Sequence, residues 1–168
     1  MSEIKRGFGY AQTQVMGKDE WLTPPELITS LGEFDLDPCA PLNRPWDTAK
    51  KHYTILDDGL KQSWEGRVWL NPPYGDFVWT WLKKLEAHKN GLALIFARTG
   101  TPNFHNTVFD RAHGVLFIRG RLHFHHVTGI RAKHNAGADS CLVSYNQRDT
   151  DIMFKSEVKG KRILLENC

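Results

Sequence analysis

The stretch Asn71-Pro72-Pro73-Tyr74 follows the apolar run Val68-Trp69-Leu70 and leads into Gly75-Asp76. Two consecutive prolines remove two backbone donors, and each restricts the residue before it. A chain that had only to turn could use Asn-Gly or Asp-Gly at less cost. The residue types suit one chemistry well. An exocyclic amino group on a base is a poor nucleophile, because its lone pair is delocalised into the ring. Two acceptors aimed at its N–H bonds draw the nitrogen toward a tetrahedral shape and stabilise the positive charge that grows as it attacks. The amide oxygen of Asn71 is one such acceptor. The Pro72 carbonyl, held stiff by the prolines, is the second. Tyr74 offers a ring for stacking, worth about 1–3 kcal/mol per base, and Gly75 lets the chain clear the base. Such preorganised electrostatics need no general base. A plain strand-to-helix turn is the competing reading of these four residues.

The motif needs a scaffold, and the pattern supplies one. Thr23 can cap a short helix that Pro24 and Pro25 open and Gly32 ends, with Leu27, Ile28 and Leu31 on its apolar face. Glu33–Pro38 reads as a strand with Asp37-Pro38 at its carboxyl end. Pro41–Trp64 is weakly patterned, with a short helix expected near Thr48–His52. Arg67–Asn71 is a second strand. Asp76 can cap a helix carrying Phe77, Val78, Trp81, Leu82 and Leu85, ended by Asn90-Gly91. Leu92–Ala97 is a continuous apolar run, the mark of a strand covered on both faces. Asn103–Ala112 reads as helix. Gly114–Ile118, Arg121–Phe124 and Ser140–Tyr145 read as strands, and Arg162–Glu166 as an edge strand. This alternation predicts an α/β three-layer sandwich, Rossmann-like, with a mainly parallel sheet. Ligands then lie off the carboxyl ends of the strands. Asp37-Pro38, Asn71-Pro72 and Arg98 should open on one crevice.

The chain has 168 residues, 40% hydrophobic and 24% charged, with a formal net charge of +3. That is one domain, read as residues 20–168 behind a flexible, Gly-containing segment 1–19. No apolar run approaches the ~20 residues that span a bilayer, so no membrane partner is expected. No basic-then-apolar leader opens the chain. Cys39, Cys141 and Cys168 show no metal-like spacing, which suits reduced thiols in a cytosol. Arg119, Arg121, Arg131 and Lys133 lie in a stretch with four histidines and no acid, composition that fits a nucleic-acid surface or a solvated loop. His123–His126 has no nearby acid or cysteine, so no metal is expected. Nothing in the sequence sets an oligomeric state.

Together, EWLTPPELITSLGEFDLDPCA, YTILDDGLKQSWEGRVWLNPPYG, LIFARTGTPNFHN and FIRGRLHF resemble the phage-type DNA N-6-adenine methyltransferase family, in order from Glu20 to Tyr145. The four-residue motif occurs in several methyltransferase families; the ensemble is more specific. The resemblance implies a compact class I methyltransferase fold, S-adenosylmethionine as methyl donor and adenine N6 in double-stranded DNA as acceptor. It places catalysis on Asn71, Pro72, Pro73 and Tyr74, and donor binding on Asp37 and Pro38, with Thr23 and Pro24 packed near the donor. Asp37 could take the donor's ammonium in a charge-assisted bond. No glycine-rich turn follows Asp37, a departure from the usual pattern of the fold. For the ribose hydroxyls the candidates are Asp57 and Asp58, with Asp58 preferred. Arg98, Arg119, Arg121, Arg131 and Lys133 are the DNA-contacting candidates. Methylation of RNA adenine, cytosine N4 or a glutamine side chain would use the same acceptor geometry. A nucleic-acid-binding module without catalysis is the alternative outside enzymes.

Overall fold

The computed structural model describes residues 21–134 and 136–166. The reading of residues 1–19 as flexible lies outside them, as does Cys168. In chain order the elements are β1 (Trp21–Leu22), α1 (Pro25–Ser30), β2 (Leu36–Asp37), β3 (Lys51–His52), β4 (Val68–Leu70), α2 (Val78–His88), β5 (Gly91–Phe96) and α3 (Pro102–Phe104). A π-helical turn (His105–Phe109) continues α3. Then come β6 (Gly114–Ile118), β7 (His125–His126), β8 (Ser140–Ser144), α4 (Gln147–Lys155) and β9 (Gly160–Leu164).

Among the described residues, seven strands form one sheet in the order β3-β2-β4-β5-β8-β6-β9, and β1 pairs with β7 apart from it. The β3-β2-β4-β5 half is parallel. Strand β8 runs antiparallel between β5 and β6, and β9 closes the edge antiparallel to β6. The expectation of a mainly parallel sheet is therefore corrected to a mixed one, whose longer ladders are antiparallel. The physical reason is the burial of β8, which is covered along its whole length. An interior antiparallel strand reads as the same continuous apolar run as a parallel one.

Helices pack on both faces. On one, Trp81, Leu82 and Leu85 of α2, with Phe104 and Val108, meet Val68, Leu70, Ala93, Ile95 and Val143. On the other, Leu27, Ile28 and Leu31, with Met153 of α4, meet Trp69, Leu92, Leu94 and Leu142. The chain turns from α2 into β5 through Lys89 in the left-handed region and Gly91 at φ 140°. A side chain at Gly91 would stand 2.2 Å from the Val68 carbonyl, so only glycine lets β5 approach β4 here.

Local details depart from expectation. Lys51–His52 is strand, not helix, paired with Leu36–Asp37. Arg121–Phe124 is not a strand; the pairing begins with the next residue, in β7. Pro24 and Phe77, not Thr23 and Asp76, stand at the N-caps of α1 and α2, and neither cap uses a side chain. Helix α4, unforeseen, is capped by Asn146, whose side chain accepts from Asp149 N.

One ion pair joins the two halves of the sheet. Arg67, just before β4, meets Asp149 of α4 at 2.6 Å with both side chains buried. The guanidinium also donates to the Leu31 and Glu33 carbonyls and lies over the Phe34 ring. The other Asp149 oxygen accepts from Gly91 N at 2.7 Å. Removing one partner of such a pair leaves an uncompensated buried charge. Asp149→Ala should lower the unfolding free energy in urea by about 3–5 kcal/mol; a loss below 1 kcal/mol would contradict this role.

Candidate active site

Strand β2 leads outward to β3, and β4, lying beside β2, leads the other way to β5. The chain thus reverses its direction of travel between β2 and β4, and a crevice opens beyond the carboxyl ends of such strands. Asp37 ends β2, and Asn71 follows the last residue of β4.

Asp37 is buried. Cys39 N donates to its Oδ1 at 3.1 Å, and the Thr48 hydroxyl donates to Oδ2 in a short bond. Burial pushes its carboxyl up to about 6, against the opposing pull of these two bonds. The loop after Asp37 has no glycine, and side chains shape it instead. His52 Nε2 accepts from Thr48 N and Ala49 N, which brings the Thr48 hydroxyl onto Asp37. Pro38 is buried, and Gly59 packs on it so closely that a side chain at 59 would stand 1.9 Å from the Pro38 carbonyl.

Asn71 is held at two points. Its Nδ2 donates to Thr23 Oγ1 at 3.2 Å and points toward the Trp21 carbonyl at 3.5 Å. Its backbone carbonyl accepts from the Cys39 thiol at 3.1 Å. Among the described residues no backbone or side-chain donor takes the Pro72 carbonyl. Tyr74 lies flat on Phe96, with centroids 4.1 Å apart and planes 3° from parallel, and Phe124 meets it edge-on. Burial raises the Tyr74 phenol far above its ordinary value, so it stays protonated.

Two hollows meet at Tyr74. One, of about 40 Å³, is lined by Trp21, Thr23, Asp37, Thr48, Asn71 and Tyr74 among others. The second, of about 360 Å³, is lined by Tyr74, Trp79, Phe96, Arg98, Thr101 and Asn103, with Asp76 at its edge. Strand β7 pairs with β1, whose Trp21 and Leu22 line the first hollow; His126 lies tilted beside the Trp21 ring, and His125 sets its ring edge to Trp46.

A family model described as DNA N-6-adenine-methyltransferase (Dam) matches residues 10–165. The chain belongs to that family. It is thereby placed among the adenine-specific DNA methyltransferases. No curated protein and no solved structure matches it significantly. Among the described residues, no helix of this Dam-family chain is long and apolar enough to cross a membrane, and no cluster of three or more His, Cys, Asp or Glu could hold a metal ion.

The candidate residues of this Dam-family chain divide by place. Thr23, Asp37 and the Asn71–Tyr74 motif come together around the first hollow. Arg98 lines the second and has its guanidinium over the Phe96 ring. Pro24 begins α1, a residue beyond the hollow. Asp58 sits in an exposed turn at φ 54° and pairs with Lys61 at 2.8 Å, so it does not line the hollow, although its neighbour Gly59 packs on Pro38. Arg119, Arg131 and Lys133 are exposed and line neither hollow, and Arg121 pairs with Asp139 at 3.4 Å. Sequence reasoning passed over Trp21 as a backbone acceptor, Cys39, Thr48 and Phe96. Of these, only Phe96 carried a signal, as the last apolar residue of a strand.

A carboxyl whose folded value is raised binds protons more tightly in the native state than in the unfolded chain. Its contribution is fully present below the ordinary carboxylate value and is lost as pH rises through about 6. Asp37→Asn should remove that fall. The variant should be more stable than the parent at pH 7.5 in urea titrations, with little difference at pH 4. An unchanged stability profile would show that Asp37 is not held in a desolvated site.

Proposed function

We propose that the chain transfers a methyl group from S-adenosylmethionine to N6 of an adenine in double-stranded DNA, directly and without a covalent enzyme intermediate. The observation that carries this reading is the pair of acceptors beyond β4. With Nδ2 of Asn71 committed to Thr23, its Oδ1 is left as an acceptor, beside a Pro72 carbonyl that takes no donor among the described residues. An amino group with two N–H bonds is the natural partner for two such acceptors.

The residues around the first hollow suit the methyl donor chemically. The Asp37 carboxylate offers a partner for an ammonium group, and that charge would offset its burial. Trp46 Nε1 and His125 Nδ1, outside the lining of this hollow, are buried without hydrogen-bond partners among the described residues. The hollow itself, at about 40 Å³, holds little more than a water. Its lining must therefore move apart for the donor to enter. When bound, S-adenosylmethionine supplies an electrophilic methyl on a sulfonium centre.

The chain's own residues do the rest. An adenine cannot present N6 while stacked and paired, so it leaves the duplex. Asn71 and Pro72 line the first hollow, so N6 of the extruded base must reach that side of Tyr74. The larger hollow on its other side, within the size range of small-molecule sites, takes the rest of the nucleotide, with Arg98 near its phosphate. Asn71 Oδ1 and the Pro72 carbonyl orient N6 and stabilise its growing positive charge. Pro73 keeps the Pro72 carbonyl in place. The proton departs after transfer, so no base is required. Orientation carries much of the acceleration. Arg119, Arg121, Arg131 and Lys133 hold the phosphate backbone. In this reading the mixed sheet is a compact class I methyltransferase sheet, with its parallel half carrying the site.

Three measurements test it. DNA from cells producing the protein, digested to nucleosides, should contain N6-methyladenine by mass spectrometry. Asn71→Ala should abolish the mark while leaving donor affinity by calorimetry within a few-fold; a fully active variant refutes the assignment. Arg131→Ala should weaken DNA binding on all sequences and reduce the slope of log affinity against log salt by about one. An unchanged slope removes Arg131 from the phosphate contacts.

A further inference from the structure

The orientation of the Asn71 side chain is decided by its neighbours, not by the motif. A carboxamide can turn end for end at little cost unless its surroundings tell nitrogen from oxygen. A hydroxyl such as that of Thr23 cannot tell them apart, since it both donates and accepts. A backbone carbonyl can, since it only accepts. The Trp21 carbonyl lies 3.5 Å from the same amide atom that meets Thr23 Oγ1 at 3.2 Å, so that atom is the nitrogen. Thr23 is buried, on the lining of the small hollow. Its acceptor lone pair is used by Asn71, and its own proton remains to be given elsewhere in the small hollow it lines.

We propose that Thr23 is a positioning residue for methyl transfer: with the Trp21 carbonyl it locks the Asn71 amide so that Oδ1, and never Nδ2, faces the amino group to be methylated. This rests on the reading of Asn71 given above. An amide turned the other way would present a donor to an N–H bond, which repels it and leaves the lone pair unassisted. The device lies outside the Asn-Pro-Pro-Tyr motif, 48 residues away in sequence. It also depends on β7, because β1, which carries Trp21, is paired to it through Trp21–His126 and Leu22–His125.

Thr23→Val keeps the shape and removes the hydroxyl, and Thr23→Ser restores it. Single-turnover methylation of duplex DNA at saturating donor should fall by about tenfold or more in Thr23→Val, the scale on which outer partners of an active group act. Donor and DNA dissociation constants should change far less, and Thr23→Ser should recover most of the rate. A Thr23→Val enzyme with the parent's rate, a loss confined to donor affinity, or a serine variant as impaired as the valine one would each overturn the proposal. A second readout does not depend on activity. The side-chain NH₂ of Asn71, followed by NMR, should exchange with water slowly in the parent and quickly in Thr23→Val. Equal exchange overturns the lock even if the protein transfers no methyl to DNA. Protected exchange in a parent that leaves adenine unmodified would uphold the lock and refute only the assigned reaction.

Discussion

The contact between Arg67 and Asp149 is the constraint on which the layout depends. It joins a residue at the entry to β4 with a helix more than eighty positions away. Through Asp149 it also takes the first amide of β5, and through Arg67 it takes the two carbonyls that follow α1. Four segments are therefore registered by two side chains at the amino-terminal end of the central strands. The opposite end is left for chemistry. A buried pair of this kind is weak evidence for net stability, since desolvation offsets most of the attraction. Its geometric demand is strong, because each of its partners must arrive together or a charge is stranded.

At the carboxyl ends, too, polar groups are buried with their bonding only partly complete, as Arg67 Nη2 is at the other end. Asp37 is kept out of water with two neutral donors and no cation in hydrogen-bond contact among the described residues. The Pro72 carbonyl accepts nothing from the described residues, and the ring nitrogens Trp46 Nε1 and His125 Nδ1 are without partners among them. Unmet polar groups are costly in a core and informative in a crevice, where they mark what a ligand must bring. The fold tolerates them because the interior around β4 and β5 is closely packed on both faces.

Much of this was legible in the residues. Two prolines directly after a strand announce a backbone fixed for a purpose, and Asn71–Tyr74 stands where that argument puts it. Asp37 was readable as a strand-end acid. Thr23 was visible but read for other work: Ser and Thr before a helix usually cap it, whereas here the hydroxyl turns to Asn71. Thr48 could not be found, since the stretch around it has no period and its partner lies eleven residues earlier. Strand β8 disclosed its burial but not its direction, because side-chain pattern carries no arrow. Helix α4 was missed although Asn146 and Asp149 have cap spacing; one of its inward residues is that aspartate, so its apolar face is thin.

The Tyr74 ring already has a flat companion in Phe96. An incoming purine must either trade places with that phenyl or settle for the opposite side of the phenol. In an exchange, the attraction gained is offset by the attraction given up, so ring contact alone barely rewards one nucleobase over another. Discrimination then falls on hydrogen-bonding edges: a base lacking an amino group would find the seat no more welcoming than the phenylalanine it evicts.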